Sequence, residues 1–183
     1  MTLRNPARPE MRQGVDLYDY FLNSYLRVSE RKQGPVLVQI PEKLVFHEDR
    51  LRKVLRMSAA YGFVVALEVR HQSWISDQTF ALLNEYGGSL VISDWPSVQT
   101  PIEDTGSFFY IRRHGHNGSY AGEYKDKQLR TDVETFYGEH HRGRDIYVYF
   151  NNDVGGAAIR NALRMKQLLK AHDTKFWQLA GEE

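Results

Sequence analysis

The sequence predicts an α/β fold built on a parallel sheet. Three observations carry this: short apolar runs rich in Val, Ile, Tyr and Phe recur, segments of helical period separate them, and the runs are nearly continuous in apolar character. Strands alternating with helices form βαβ units. A parallel sheet covered on both faces needs strands that are apolar on both faces.

The stretch LYDYFLNSYLRVSERKQ places Tyr18, Phe21, Leu22, Tyr25 and Leu26 at i, i+3, i+4, i+7 and i+8, one face of a first helix. Gly34 and Pro35 stop it and open the first strand, PVLVQI (35–40). A second helix carries Leu51, Val54, Leu55, Ser58 and Ala59 and ends near Gly62, before the strand VVALEV (64–69). Ser76 N-caps a third helix that ends at Gly87. The strands SLVISD (89–94) and FFYIRR (108–113) follow, then a helix over 126–139 and the strand IYVYFN (146–151). Ala158, Ala162, Met165 and Leu169 mark the last helix. With no repeat, low-complexity tract or linker between them, these elements read as one domain, 1–183.

Composition narrows the function. The 183 residues are 42% hydrophobic and 13% aromatic, enough to bury a sizeable core. Basic and acidic residues number 24 and 23, a formal charge of +1, so any nucleic-acid or lipid partner must find a local patch. The absence of cysteine excludes disulfides, thiolate nucleophiles and cysteine-ligated metal centres. The opening MTLRNPARPEMRQG has no apolar run of signal-peptide length, and no uncharged stretch approaches the roughly 18 to 20 residues of a membrane span; a cytoplasmic location is the expectation.

Parallel α/β sheets place ligands at the carboxyl ends of their strands, and the polar residues of these runs fall there. Side chains of equal parity share a strand face, which groups Glu68 with Arg70, Arg112 with His114, and Tyr147 and Tyr149 with Asn151. Gln39 and Asp94 end two further strands. If these faces point inward, the top of the sheet gathers Gln39, Glu68, Arg70, Asp94, Arg112, His114 and Asn151 into a charged, hydrogen-bonding pocket. A structural ion pair, Glu68 with Arg70 or Asp94 with Arg112, is the competing reading.

In RRHGHNGSY a neighbouring carboxylate would poise His114 for proton transfer. His114 and His116 alone are a weak metal signal, and EHHRGR (139–144) reads as a solvated helix end, so no metal and no cofactor is assigned. The last strand runs into NNDVGGAAIRNA, where Asn151, Asn152 and Asp153 suit a helix cap and Gly155 and Gly156 allow a ligand close to the helix N-terminus. Trp74, Tyr120 and Tyr124 follow strand ends and either wall the pocket or pack on its rim. No GxGxxG, GxSxG or HExxH motif occurs.

Taken in order and spacing, GPVLVQIPEKL, ALEVRHQSW, SDWP, FYIRRHG, YAGEY and YVYFNNDVGGAAIRNA resemble the YecE-like family, domain of unknown function 72, over roughly residues 16–170. The resemblance implies a TIM-type (β/α) barrel with the polar residues above at its mouth, and it supplies no reaction. The family's opening Gly-Ser-Gly-Trp-type and Glu-x-Asn-type motifs do not occur here, and Arg113 stands at a position usually apolar. The five strands therefore correspond to strands 4 to 8 of an incomplete barrel, N-terminally truncated relative to the family, where a whole one needs roughly 250 residues.

Three functions fit. An enzyme for a small phosphate or carboxylate compound would hold the anion with Arg70, Arg112 and the helix start at 152–156, move protons with Glu68 or Asp94 and His114, and orient the ligand with Gln39 and Asn151. A phosphodiester-acting or nucleic-acid-binding barrel, disfavoured by the near-zero charge, would stack a base on Trp74 or a tyrosine. A noncatalytic remnant would keep the cluster for structure alone. An open barrel exposes two strand edges, so self-association or a complementing chain is expected.

Overall fold

The computed structural model describes residues 14–28, 34–141 and 143–180. Helix α1 (Gly14–Val28) precedes β1 (Val36–Gln39), α2 (Glu48–Ala60), β2 (Val65–Glu68), α3 (Asp77–Glu85) and β3 (Ser89–Ser93). Strand β4 (Phe108–Arg113), α4 (Asp126–His141), β5 (Asp145–Phe150) and α5 (Ala157–Ala180) complete the order. The strands lie side by side in sequence order and all pair in parallel. They form a curled half-barrel with helices outside it.

Strand alternation divides the side chains between two layers. On the outer face Val65, Leu67, Val69 and Leu90 pack with Leu51 and Leu55 of α2 and Leu82 and Leu83 of α3. Farther along the sheet, Ile92, Phe109 and Ile111 meet Phe136 of α4. On the inner face Ala66, Val91, Phe108 and Tyr110 form a smaller cluster with Leu37, Val64 and Tyr147. Burial on that face falls from the centre to the edge: Tyr110 is 5% exposed and Tyr149, stacked on it at 4.8 Å, is 45% exposed. β1 and β5 are the two edges, and among the described residues no strand pairs with their outer sides.

Ser76 caps α3 as expected, its hydroxyl accepting the Thr79 N–H at 3.3 Å. The predicted stripe of α1 holds in part: Leu22 is fully buried and Tyr18 bonds Ser58 at 2.6 Å, while Phe21 is 37% exposed. The side chains of Tyr25 and Leu26 lie outside the described residues, as do residues 1–13 and most of the EHHRGR side chains. Asp153 makes no side-chain cap for the last helix; a short turn over Val154–Gly156, with Gly155 at φ 67° and Gly156 at φ 73°, leads into α5 instead.

Trp74 corrects an expectation of pocket contact. It lies in the outer layer, 1% exposed, its Nε1–H donating to the Leu44 carbonyl at 2.8 Å and its ring edge-on to Phe46. The short turn Gln72–Trp74 swings the chain back over the sheet, so a residue that follows a strand end becomes core. Replacing Trp74 with Ala should therefore cost about 3–5 kcal/mol of stability, measured by urea unfolding; a loss below about 1 kcal/mol would contradict this placement.

Candidate functional site

The apolar alternation of β2 explains why its charges face inward. Leu67 and Val69 are claimed by the outer core, which leaves Ala66, Glu68 and then Arg70 for the concave side. Glu68 is fully buried at the end of its strand. Its Oε2 accepts from Arg112 Nη1, and its Oε1 accepts from His114 Nε2 at 2.9 Å and lies 3.5 Å from Arg70 Nη2. One carboxylate thus serves two guanidinium groups and an imidazole.

The arginines are held from several sides. Arg112 Nε donates to Asn151 Oδ1 at 3.1 Å and its Nη1 reaches Gln39 Oε1 at 3.3 Å. Arg70 Nη2 donates to the same Gln39 oxygen at 3.1 Å. The guanidinium of Arg70 lies over the Trp95 ring, 3.6 Å from its centroid, a contact worth about 1 kcal/mol. Trp95 is in turn fixed by its Nε1–H donating to Glu42 Oε1 at 2.8 Å. Arg70 Nε is buried with no hydrogen-bond partner among the described residues.

His114 is fully buried, and burial holds its imidazole below the ordinary value; Glu68 opposes that shift and Arg112 and Arg70 add to it. A neutral ring that donates through Nε2 to Glu68 keeps its lone pair on Nδ1, which has no hydrogen-bond partner among the described residues. Rings cover it: Trp95 lies edge-on at 5.3 Å and Tyr120 tilted at 5.6 Å.

Asp94 takes another place than the one expected. Its Oδ1 accepts the His114 backbone N–H at 2.7 Å and its Oδ2 accepts the Tyr124 hydroxyl. Tyr124 itself accepts the Gly115 N–H at 2.6 Å, and burial with the Asp94 bond pushes its phenol well above the ordinary value. Asp94 shares the parity of the outward Ile92, which is why it fastens the loop after β4 and does not line the arginine cluster. At Gly115, φ is 87° and a Cβ would stand 2.3 Å from the Ala121 carbonyl, so only glycine fits that fastening.

Asn152 is likewise structural in its contacts. Its amide donates to the Gly122 carbonyl at 2.7 Å and to Asn161 Oδ1 at 2.8 Å, and Asn161 bonds both the N–H and the carbonyl of Tyr124. The Gly156 N–H donates to the Asp153 carbonyl at 3.0 Å and is spent within its turn. The structure thus brings together Gln39, Glu68, Arg70, Arg112, His114, Asn151 and, through its hydroxyl 3.4 Å from Arg70 Nη2, Tyr120. It sets Trp74, Asp94, Asn152 and Gly156 apart from them. Trp95 and Glu42 escaped sequence reasoning. The Trp after the strand-ending Asp94 was a signal for one of them, whereas nothing local marks Glu42. Among the described residues no group of three His, Asp or Glu is arranged to hold a metal, and no helix is long and apolar enough to cross a membrane.

A family model described as "Protein of unknown function DUF72" matches residues 4–182. Among solved structures, a DUF72 family protein from Thermotoga maritima is similar at 24% identity and a TM-score of 0.68, covering 83% of this chain. This chain spans 65% of the length of that protein. A DUF72 family protein from Enterococcus faecalis is similar in two crystal structures, each with a TM-score of 0.73, at 24% and 21% identity. They cover 86% and 91% of this chain, and 70% of their own chain is matched in each case. At these identities the likeness establishes the fold. No curated protein matches the chain.

The depressed His114 gives a pH test. The unfolded chain binds a proton at this residue more readily than the folded one, so its contribution is complete above the unfolded value of about 6.5 and is lost as pH falls below it. Urea midpoints should fall between pH 7.5 and 5.5, and the His114→Gln variant should show a flatter profile. Parallel profiles would contradict the assignment.

Proposed function

The chain belongs to the DUF72 family of proteins of unknown function, and from that premise we propose that it binds a small phosphate or carboxylate anion at the carboxyl ends of its strands. The observation that supports this most strongly is the convergence of two guanidinium groups, Arg70 and Arg112, on the one buried carboxylate of Glu68 at the concave ends of the strands, with the carboxylates of Glu42 and Asp94 acting on the cluster from its margin. A guanidinium presents donors in a fixed fork suited to carboxylate and phosphate. Glu68, Gln39, Asn151 and Trp95 already hold both forks, so little ordering remains to be done when the anion arrives.

In this reading Arg70 and Arg112 hold the anion, and Gln39 and Asn151 orient the ligand. Glu68 positions the buried imidazole of His114, which supports the site from beneath Trp95 and Tyr120. The reading favours a small anion over a nucleic acid, because each arginine side chain is only 13% exposed and offers little to an extended backbone. In calorimetry, inorganic phosphate should bind the protein and lose at least tenfold in affinity to Arg112→Met. The Arg112→Lys variant, which keeps the charge without the fork, should fall between them. Equal affinity across the three would remove the proposal, and so would a steep salt dependence of single-stranded DNA binding with no phosphate binding.

We infer also that the five strands are the fourth to eighth of a TIM-type barrel, and that a polypeptide pairs with the outer edges of β1 and β5. The support is that β1 and β5 are the edges of the sheet, with no strand on their outer sides among the described residues, and that Tyr149 is exposed on the concave face. That partner is a second copy or a complementing chain. Light scattering of the isolated chain should give a mass above 21.3 kDa or a polydisperse profile; a sharp monomeric peak with cooperative melting would contradict it.

A further inference from the structure

Tyr120 sits where its backbone is costly. Its φ is 58°, the left-handed region that a bulky aromatic residue rarely enters and that glycine or asparagine adopts readily. The conformation is fixed at both ends, the Tyr120 N–H donating to the His114 carbonyl at 2.9 Å and its carbonyl accepting the Val154 N–H at 3.3 Å. Strain of this kind persists where the surrounding structure over-determines it, and it clusters at ligand sites. The side chain obtained at that cost is 40% exposed. Its ring lies 6.0 Å from Trp95 and 5.6 Å from His114, and its hydroxyl is at 3.4 Å from Arg70 Nη2.

The rings of this corner are unequally available. His114 is fully buried, and Trp95 has the Arg70 guanidinium on its face. Tyr120 keeps open surface, beside the cation that the anion reading requires. A phosphate or carboxylate on the arginines would therefore carry the rest of its molecule past an aromatic surface.

We propose that Tyr120 is the specificity-determining residue of the site and that its ligand class is an anion bearing a planar or aromatic ring, the anionic group on Arg70 and Arg112 and the ring stacked on Tyr120. This rests on the anion-binding reading and extends it from charge to shape. An isolated anion uses only the arginines; a ring-bearing anion gains the stacking contribution, which for a planar group on an aromatic side chain amounts to about tenfold or more in affinity.

The test compares inorganic phosphate with phenyl phosphate by calorimetry on the wild-type chain, Tyr120→Phe, Tyr120→Gly and Tyr120→Asn. Phenyl phosphate should bind about tenfold more tightly than inorganic phosphate to the wild type and to Tyr120→Phe. That advantage, read as the ratio of the two affinities within each protein, should vanish in Tyr120→Gly and Tyr120→Asn. Two substitutions compatible with φ 58° keep the test independent of whether one of them folds poorly. Equal affinity of the two ligands for the wild type overturns the ring proposal and leaves the anion site standing, as does an advantage that survives in Tyr120→Gly and Tyr120→Asn. Failure of the wild type to bind either ligand overturns the anion reading and this proposal with it.

Discussion

The buried carboxylate of Glu68 is the constraint on which the arrangement of the mouth depends. A carboxylate taken fully out of water is tolerated only when paired and hydrogen-bonded, and here Arg70, Arg112 and His114 converge on it from β2 and β4 and their ends. Each partner is in turn tethered elsewhere: Arg70 to Gln39 and Trp95, Arg112 to Gln39 and Asn151, His114 through its backbone to Asp94. Removing the carboxylate would leave two half-buried guanidinium groups without the charge they share. The cluster therefore closes only in one geometry, which is a preorganised surface and at the same time a lock on the strand ends.

Around that lock lies a second layer that touches no candidate ligand group. Asp94, Tyr124 and Gly115 fasten the chain after β4, and Asn152 with Asn161 fastens Tyr124 to α5. Polar residues buried in such numbers are usual where a loop must hold a precise path over a sheet, because every backbone group that leaves a strand needs a partner. The division of labour is chemical. The arginines and the histidine converge on Glu68, while Asp94, Asn152 and Asn161 hold backbone groups of the loop after β4.

Much of this was readable in the sequence. The five strands fall within a residue or so of their apolar runs because outer-face residues such as Leu67, Val69 and Ile111 must meet helices, and that requirement shows as composition. Parity placed Glu68, Arg70, Arg112, His114 and Asn151 together correctly because β2, β4 and β5 continue straight to their ends. It failed where the backbone turns. Trp74 follows a short turn that reverses its direction, whereas Asp94 and Asn152 carry the outward parity of Ile92 and of Val148, which directs them away from the cluster as observed. Glu42 joins through a contact with a residue 53 positions away, and the strain at Tyr120 comes from a loop held by partners in Val154 and His114; neither leaves a local trace.

The strand order has a consequence for how the protein assembles. Each strand pairs with its sequence neighbour, so the sheet is able to grow one crossover at a time, each step needing only the contacts just made. The mouth obeys a different rule. Arg112 meets Gln39 across 73 positions and Glu68 across 44, so the cluster is absent until β1, β2 and β4 are all in place. Such long-range contacts are the slow and late part of folding. Fraying of β1 at the sheet edge would release Gln39 first and loosen both guanidinium groups while the outer apolar layers between β2 and β4 persist. The binding surface thus has the character of a finishing step: it exists only in the chain that has completed its sheet.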